Sequence, residues 1–471
     1  MLDLPQLRRE LRPTLTLALP IIIGQVSQVL MGLTDSLMIG RIGKVPLAAS
    51  AFANSIFNLT YIASLGLLMG VSILVSRAHG AKQSRECAEY LRHGMVLALT
   101  GGVGVVLLLW AVATQLHRFG QPAEVLAQVY PFYLIICSSI LPVLVFQVLR
   151  QFSEAVGHPR APMNILLGCV GLNVLLNWVF IWGHCGLPAL GLAGSGLATL
   201  TARIVSVIGL WFWLTRRPEV KGEWPSVAKA SAGAEAMTDK SVGRPVESVN
   251  PAWRAPLAWA RFREMLAIGI PAAGQWLFES GAFSAAAIMM GWLGTAPLAA
   301  HQIALACAST AFMFPLGLSI ATSMRISKAV GAGQQEALRA IGFGSLGTAV
   351  VGMMGFALLF AFAGPMIAAA FTHDAEVIAL SAQLLIVAAI FQLLDGAQVV
   401  GSGALRGIGD VRVPTLITFI AYWVVALPGG WLLAFRLGAG PVGVWTGLAA
   451  GLGFAAVLLG WRFHHKTLRR A

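Results

Sequence analysis

Twelve stretches of this sequence are too long and too apolar for the interior of a water-soluble domain, and that pattern limits the fold more than any other feature. They fall at residues 14–40, 46–76, 91–115, 124–150, 161–183, 189–215, 264–293, 297–327, 338–363, 375–405, 412–436 and 440–462. About 20 apolar residues carry a helix across roughly 30 Å of hydrocarbon, so every run is long enough to span and the longer ones must tilt. Inside a bilayer the backbone must satisfy its own hydrogen bonds, and runs without strand-like alternation do so only as helices. The expected class is an all-α integral membrane protein of twelve transmembrane helices. Composition agrees: 57% of the residues are hydrophobic and 11% are charged, against about 25% charged in soluble domains. Mean hydropathy is +0.78. The 52 glycines suit helices that must approach closely without a hydrophobic drive between them. Trp182 and Trp292 at one set of helix ends, and Trp211, Trp213 and Trp461 at the other, read as interfacial anchors.

The net charge of +13 does not point to nucleic acid, because its distribution is topological. Of the 32 Lys and Arg, 27 lie in alternate loops, at the span ends bordering them, and in the two termini. Arg41, Lys44, Arg118 and Arg436 lie on the opposite side, and Arg203 lies within a span. That is the positive-inside bias, which places both termini in the cytoplasm. The amino terminus MLDLPQLRRELRP mixes acids with bases and runs into a full-length span, so no cleavable signal peptide is expected. The five cysteines, at 87, 137, 169, 185 and 307, are scattered without CxxC spacing and imply neither a disulfide framework nor a zinc site.

Between the sixth and seventh runs, residues 216–261 are polar and rich in Pro and Gly, the composition of a cytoplasmic linker that is disordered in part. This linker separates two copies of one design. RIGKVPLAASAF (41–52) echoes WLGTAPLAAHQI (292–303), LGLLMGVSILVSRAHGAKQ (65–83) echoes LGLSIATSMRISKAVGAGQ (316–334), and EAVGHPRAPM (154–163) echoes LRGIGDVRVPT (405–415), each offset by 251 or 252 residues. Six spans per half make the copies parallel repeats about an axis normal to the membrane, with a central cavity between them as the natural substrate site. The expected division is an N-lobe at 1–215, the linker at 216–261 and a C-lobe at 262–471.

Charge inside such spans is costly, about 2.5–3.5 kcal/mol for an Asp even on insertion scales, so each intramembrane acid is a functional-site hypothesis. Asp35 stands near the end of PIIIGQVSQVLMGLTDSLMIG, with Gln25, Gln28 and Gly32 on the same side of the helix. Asn173 and Asn177 share a face of the fifth span at i, i+4 spacing, and Ser195, Thr199 and Arg203 recur at the same interval on the sixth. A carboxylate, two amides and a hydroxyl suit Na⁺; the acid alone suits a proton. The competing reading for the neutral side chains is interhelical hydrogen bonding, worth about 0.6 kcal/mol per contact. Arg203 reads as a structural partner or a snorkelling cation. In the second half, Gln275 and Glu279 share a face with Trp276 between them, and Gln392, Asp395, Gln398 and Ser402 form a stripe on the tenth span. Gln28, Gln275, Trp276 and Gln392 are the further candidates to line a substrate cavity. His301 reads as a packing residue. The glycine clusters at 101–104 and 191–196 follow no strand and read as close-packing positions rather than nucleotide loops. No Walker motif, HExxH or Ser/His/Asp constellation is present, which argues against ATP-driven pumping and against an enzyme.

With these residues the chain resembles the MATE (multidrug and toxic compound extrusion) antiporters, in particular their NorM-like branch. The likeness rests on GLTDSLMIGRIG around Asp35, GLNVLLNWVFIWG and GLAGSGLATL around Asn177 and Thr199, QWLFESGAF around Glu279, and FQLLDGAQVVGSGALRGIGDVRVP around Asp395. It covers all of the chain but the linker. The resemblance implies two six-helix lobes around a cavity in a bacterial inner membrane, exporting cationic drugs and dyes in exchange for inward H⁺ or Na⁺, without a cofactor and as a monomer. It implies cation-site roles for Asp35, Asn173, Asn177 and Thr199, the set that would hold Na⁺, and for Glu279 and Asp395. Two positions depart from the family pattern: Phe391 stands where relatives often have Tyr, and Asn177 where they often have Asp. The loss of a negative charge at 177 favours protons over Na⁺. Pro20 is the expected bend point of the first span. A flippase for a lipid-linked precursor, of the same superfamily, is the alternative; its polyanionic cargo would require several intramembrane Arg or Lys, and the span interiors, away from their ends, hold three acids and one Arg.

Overall fold

The computed structural model describes residues 4–216 and 256–468. Most of the expected linker, residues 217–255, lies outside the described residues. Among them every regular element is a helix, with no strand. The first half contains α1 (Leu4–Gly40), α2 (Lys44–Leu67), α3 (Met69–Gly80), α4 (Ser84–Ala113), α5 (Ala123–Ser138), α6 (Ile140–Ala155), α7 (Arg160–Trp182) and α8 (Gly191–Arg216). The second contains α9 (Trp259–Leu293), α10 (Thr295–Gly331), α11 (Ala337–Ala369), α12 (Ala375–Gly407), α13 (Arg412–Phe419), α14 (Leu427–Trp431) and α15 (Gly440–Leu468). The pairs α2/α3 and α5/α6 are each one expected span interrupted by a single residue, Leu68 or Ser139. Two π-helical segments, Ile420–Ala426 and Leu432–Arg436, flank α14 inside the eleventh.

Eleven of these spans are long and apolar enough to cross a membrane. The twelfth, α9, has the length at 35 residues but is diluted by Gln275, Glu279, Ser280 and Ser284, of which the first two mark it as functional. Helix α1 is continuous through both Pro13 and Pro20, so the expected bend point lies within an unbroken helix.

The repeat read in the sequence reappears in the turns. Gly43 and Gly294, 251 residues apart, both precede a Pro-containing helix start with φ of 152° and 131°. Lys82 and Gly333 keep the same separation with φ of 59° and 74°, and Gly157 and Gly409 share φ near 90° (97° and 86°) at an offset of 252. Positive φ is expensive for a side chain, so its recurrence at matched positions reflects a copied backbone path.

The chain divides into two compact units, Met1–Val29 with Ile268–Ala471, and Leu30–Ala267. In the first, Leu384, Leu385, Tyr422, Trp445 and Leu452 form the centre of a large buried cluster, and Ala18 and Ile21 of α1 pack with Leu318, Ala321 and Val400. Gly443, Gly447 and Gly451 line one face of α15 at four-residue intervals; a Cβ at Gly447 would stand 2.3 Å from Gly430 Cα. Backbone therefore lies on backbone where α15 meets the π-bulged span, the close approach that small residues permit. In the second unit Val71, Ile73, Leu91, Ile140, Val148 and Leu149 are buried. There α8 presses onto α7 at Gly194, where a Cβ would lie 2.5 Å from the Phe180 carbonyl oxygen.

Candidate functional site

The helical period brings the first-half candidates to one point. Asn173 and Asn177 project one turn apart from α7 and are fully buried; Thr199 on α8 is 3% exposed. All three converge on Asp35 of α1. Asn177 Nδ2 donates to Asp35 Oδ1 at 2.6 Å and to Asn173 Oδ1 at 3.1 Å. Thr199 Oγ1 donates to Asp35 Oδ2 at 2.9 Å and accepts from Asn173 Nδ2 at 3.4 Å. Asn177 Oδ1 is buried without a partner. The close contact at Gly194 sets this geometry, because it fixes the separation of α7 from α8 five residues before Thr199.

No Arg, Lys or His among the described residues forms an ion pair with Asp35. The nearest charge acting on it is Arg203, one turn beyond Thr199, and that guanidinium is engaged elsewhere. It donates to Ser139 Oγ and lies 5.4 Å from the centroid of the Phe57 ring. The carboxylate is thus held by neutral donors, an arrangement that supports its charge without neutralising it.

The second-half candidates gather in the other unit. Asp395 on α12 is 4% exposed, and Glu279 on α9 is close enough for the two acids to act on one another. Gln275 and Ser402 bond mutually at 2.7 and 3.1 Å. Gln392 Nε2 donates to the Ala308 carbonyl at 3.3 Å and leaves its buried Oε1 without a partner; Gln398 leaves both side-chain polar atoms so. Trp276 and Gln28 are half-buried. His301 is a packing residue, fully buried, whose Nδ1 accepts from Trp445 Nε1 at 3.1 Å.

Two residues facing Glu279 escaped the sequence reading. Tyr422, in the first π-helical segment, stands near Glu279 with its hydroxyl buried and without a hydrogen-bond partner, and Arg406 near the end of α12 is the cation that acts on the same acid. Phe391 offers no oxygen near Asp395; the Tyr422 hydroxyl stands near both acids from a different span. Its signal was a lone hydroxyl in an apolar run, which spacing alone does not separate from an interfacial Tyr. No group of three or more His, Cys, Asp or Glu able to hold a metal occurs among the described residues.

The MatE family profile matches residues 20–179 and 271–432, the two halves of the repeat with the linker left out. The chain belongs to the MatE family. Among its relatives is a protein of Burkholderia vietnamiensis named multidrug resistance protein NorM, 35% identical, the match covering 98% of this chain and 96% of that one. Another from Mesorhizobium japonicum, named probable multidrug resistance protein NorM, is 34% identical over 96% of this chain and 93% of its own. The fold of this MatE chain is also that of solved MATE structures. A MATE in a bent conformation superposes with a TM-score of 0.85 at 19% identity, covering 99% and 97% of the two chains. A eukaryotic MATE transporter gives 0.82 at 20% identity, covering 99% of each. This MatE chain is a multi-pass membrane transporter and not an enzyme.

Proposed function

We propose that this chain is a secondary active exporter of organic cations, drugs and dyes among them, driven by inward movement of a coupling ion through Asp35. The observation that carries the reading is a carboxylate in an apolar helix, bonded at 2.6 and 2.9 Å to neutral donors only. The relatives' names as multidrug resistance proteins support the drug class. The charge bias of the loops supports both termini on the cytoplasmic side of a bacterial inner membrane.

The donor pattern favours a proton as the coupling ion. Protonation at Asp35 Oδ2 reverses one hydrogen bond: the new O–H donates to Thr199 Oγ1, whose own hydrogen turns to a backbone carbonyl one turn back, as threonines in helices do. The amides stay in place. Na⁺ at the same point needs Asn177 to withdraw its Nδ2 from Asp35 and present its Oδ1. With one carboxylate in the set, the ion would be held by a single full charge. In operation, a proton from outside neutralises Asp35 and removes the attraction that retained a cationic substrate. By reciprocity, bound substrate lowers proton affinity by the same factor. A membrane potential of about 100 mV adds roughly 2.3 kcal/mol per charge moved. The test is ethidium transport in proteoliposomes under separately imposed pH and Na⁺ gradients. Transport driven by the Na⁺ gradient and indifferent to pH would overturn the proton assignment, and Asp35→Asn with full coupled transport would remove Asp35 from the mechanism.

A further inference from the structure

The unit that holds Asp35 also holds a buried acid. Glu154 stands one residue before the end of α6 and is 3% exposed. Its Oε1 is 3.6 Å from Arg150 Nε, beyond hydrogen-bond reach, and its Oε2 is buried without a partner. Asp410, by contrast, is gripped by Arg462 at 2.8 and 2.7 Å, the short contact of a structural lock. A buried carboxylate with one long contact to its cation is poorly compensated for its lost hydration. Such a group is poised to exchange a proton.

Polar side chains lie between it and Asp35. Thr199 bonds Asp35, and one turn on Arg203 bonds Ser139 at the junction of α5 and α6. Phe57 and Tyr61 stack one turn apart on α2, with ring centroids 5.6 Å apart. Tyr61 lies under the charges of both Arg203 and Arg150. Arg150 then faces Glu154 from its own helix, and beside it Gln151 Oε1 accepts from the Ser72 backbone N of α3 at 3.2 Å. Three residues beyond Glu154 the chain turns through Gly157, which is exposed. Of the charged groups along this column, α8 contributes Arg203 and α6 contributes Arg150, and the latter is the one that acts on Glu154.

We propose that Glu154 is a second proton-binding carboxyl, the inner exchange point of a route that begins at Asp35 and follows Thr199, Ser139, Tyr61 and Arg150 through this unit. The inference rests on the proton-coupled reading above. A proton taken up by the Asp35 carboxylate leaves it along hydroxyls and water to the Glu154 carboxylate, and Glu154 releases it beyond the end of α6. Both arginines stay protonated throughout and set the potential along the path.

The experiment uses the full chain in phosphatidylethanolamine–phosphatidylglycerol vesicles with ethidium as probe. Ethidium accumulation under an inside-acidic pH step and ethidium counterflow at equal pH are measured side by side. Glu154→Gln is expected to lose at least tenfold of the pH-driven accumulation with counterflow within about twofold of wild type, and Glu154→Asp to recover most of the drive. The double variant Arg150→Met with Glu154→Met removes the pair as a unit. It is expected to keep its thermal midpoint and counterflow and to stay uncoupled. PH-driven accumulation in either Glu154→Gln or the double variant equal to wild type overturns the proposal, as does equal loss of counterflow and drive in both. A wild type unmoved by the pH step sinks the proton reading together with this one, whereas a coupled wild type beside a coupled Glu154→Gln sinks Glu154 alone.

Discussion

Gly194→Ala should uncouple transport without touching any ligand of the site. A Cβ there would stand 2.5 Å from the Phe180 carbonyl oxygen and 2.6 Å from its carbon, whereas ordinary contact begins at 3.4 Å. Both partners are backbone within helices, so α8 must retreat from α7 by about 0.9 Å. Thr199 lies five residues along, roughly 7.5 Å up the axis, and shares most of that displacement. Its contact with Asn173 Nδ2 is already 3.4 Å and fails with a shift of a few tenths. Its bond to Asp35 stretches from 2.9 Å toward the limit of a hydrogen bond. Overpacking costs about 1–3 kcal/mol of stability. Loss of a bond to a charged acceptor costs roughly 1.5–3 kcal/mol, which is about a ten- to hundredfold change in the balance between charged and neutral Asp35. The assay pairs the thermal midpoint in detergent with pH-driven ethidium uptake. The control is Gly171→Ala on α7, whose Cβ meets nothing within 4 Å; it should gain up to about 1 kcal/mol from helix propensity. A Gly194→Ala protein as stable and as well coupled as Gly171→Ala would refute the argument that this backbone contact sets the site.

Other consequences can be measured with the same preparation. Thr199→Val removes one donor from the Asp35 carboxylate, so the pH of half-maximal transport should rise by about one unit, with Thr199→Ser close to wild type; an unshifted profile excludes the bond from coupling. Gly447→Ala places a Cβ 2.3 Å from Gly430 Cα and 2.7 Å from the Ala426 oxygen, and should lower the thermal midpoint more than any substitution above, at a cost of 3 kcal/mol or about that. Trp445→Phe strips His301 Nδ1 of its donor in a fully buried setting. It should cost about 1–3 kcal/mol, with part of the loss absent when His301→Leu is already present, read as a double-mutant cycle of thermal midpoints.

The helices were legible because lipid imposes one rule on every span. Apolarity over about 20 residues implies a helix whatever surrounds it. The rule gives least where function intrudes: α9 is diluted by Gln275, Glu279, Ser280 and Ser284, and only its length and place in the repeat mark it as a span. The single-residue interruptions at Leu68 and Ser139 carry no Gly or Pro of their own and arise from packing, which a one-dimensional pattern does not contain. Asn173, Asn177 and Thr199 were legible as partners because the helical period puts them on shared faces and an apolar span gives such groups nowhere else to go. Tyr422 and Arg406 were not, since each approaches Glu279 through the packing of separate helices. The register between helices is set by contacts such as Gly194 on Phe180, which are tertiary.

The repeat also separates what a duplicated fold must keep from what it is free to change. Backbone paths are kept: positive φ recurs at Gly43 and Gly294, at Lys82 and Gly333, and at Gly157 and Gly409. Charge is not. Glu154 and Arg406 are 252 residues apart, each three residues before the matched glycine and one before the last residue of its helix, α6 or α12. Both are buried, and their signs are opposite. A position needed only for packing would have drifted toward an apolar residue in one copy, because a buried charge is dearer than a methyl group of similar volume. Retaining opposite charges at one place gives each unit a different electrostatic task. In the unit of Glu279 and Asp395, Arg406 acts on Glu279, one of two acids that act on each other. In the unit of Asp35 the position adds an acid below a lone carboxylate, and Arg150 and Arg203 keep the path between them from accumulating negative charge. The asymmetry between the halves is therefore expected to appear as different pH profiles for Glu154→Gln and Arg406→Gln, the first affecting coupling with counterflow intact and the second affecting both.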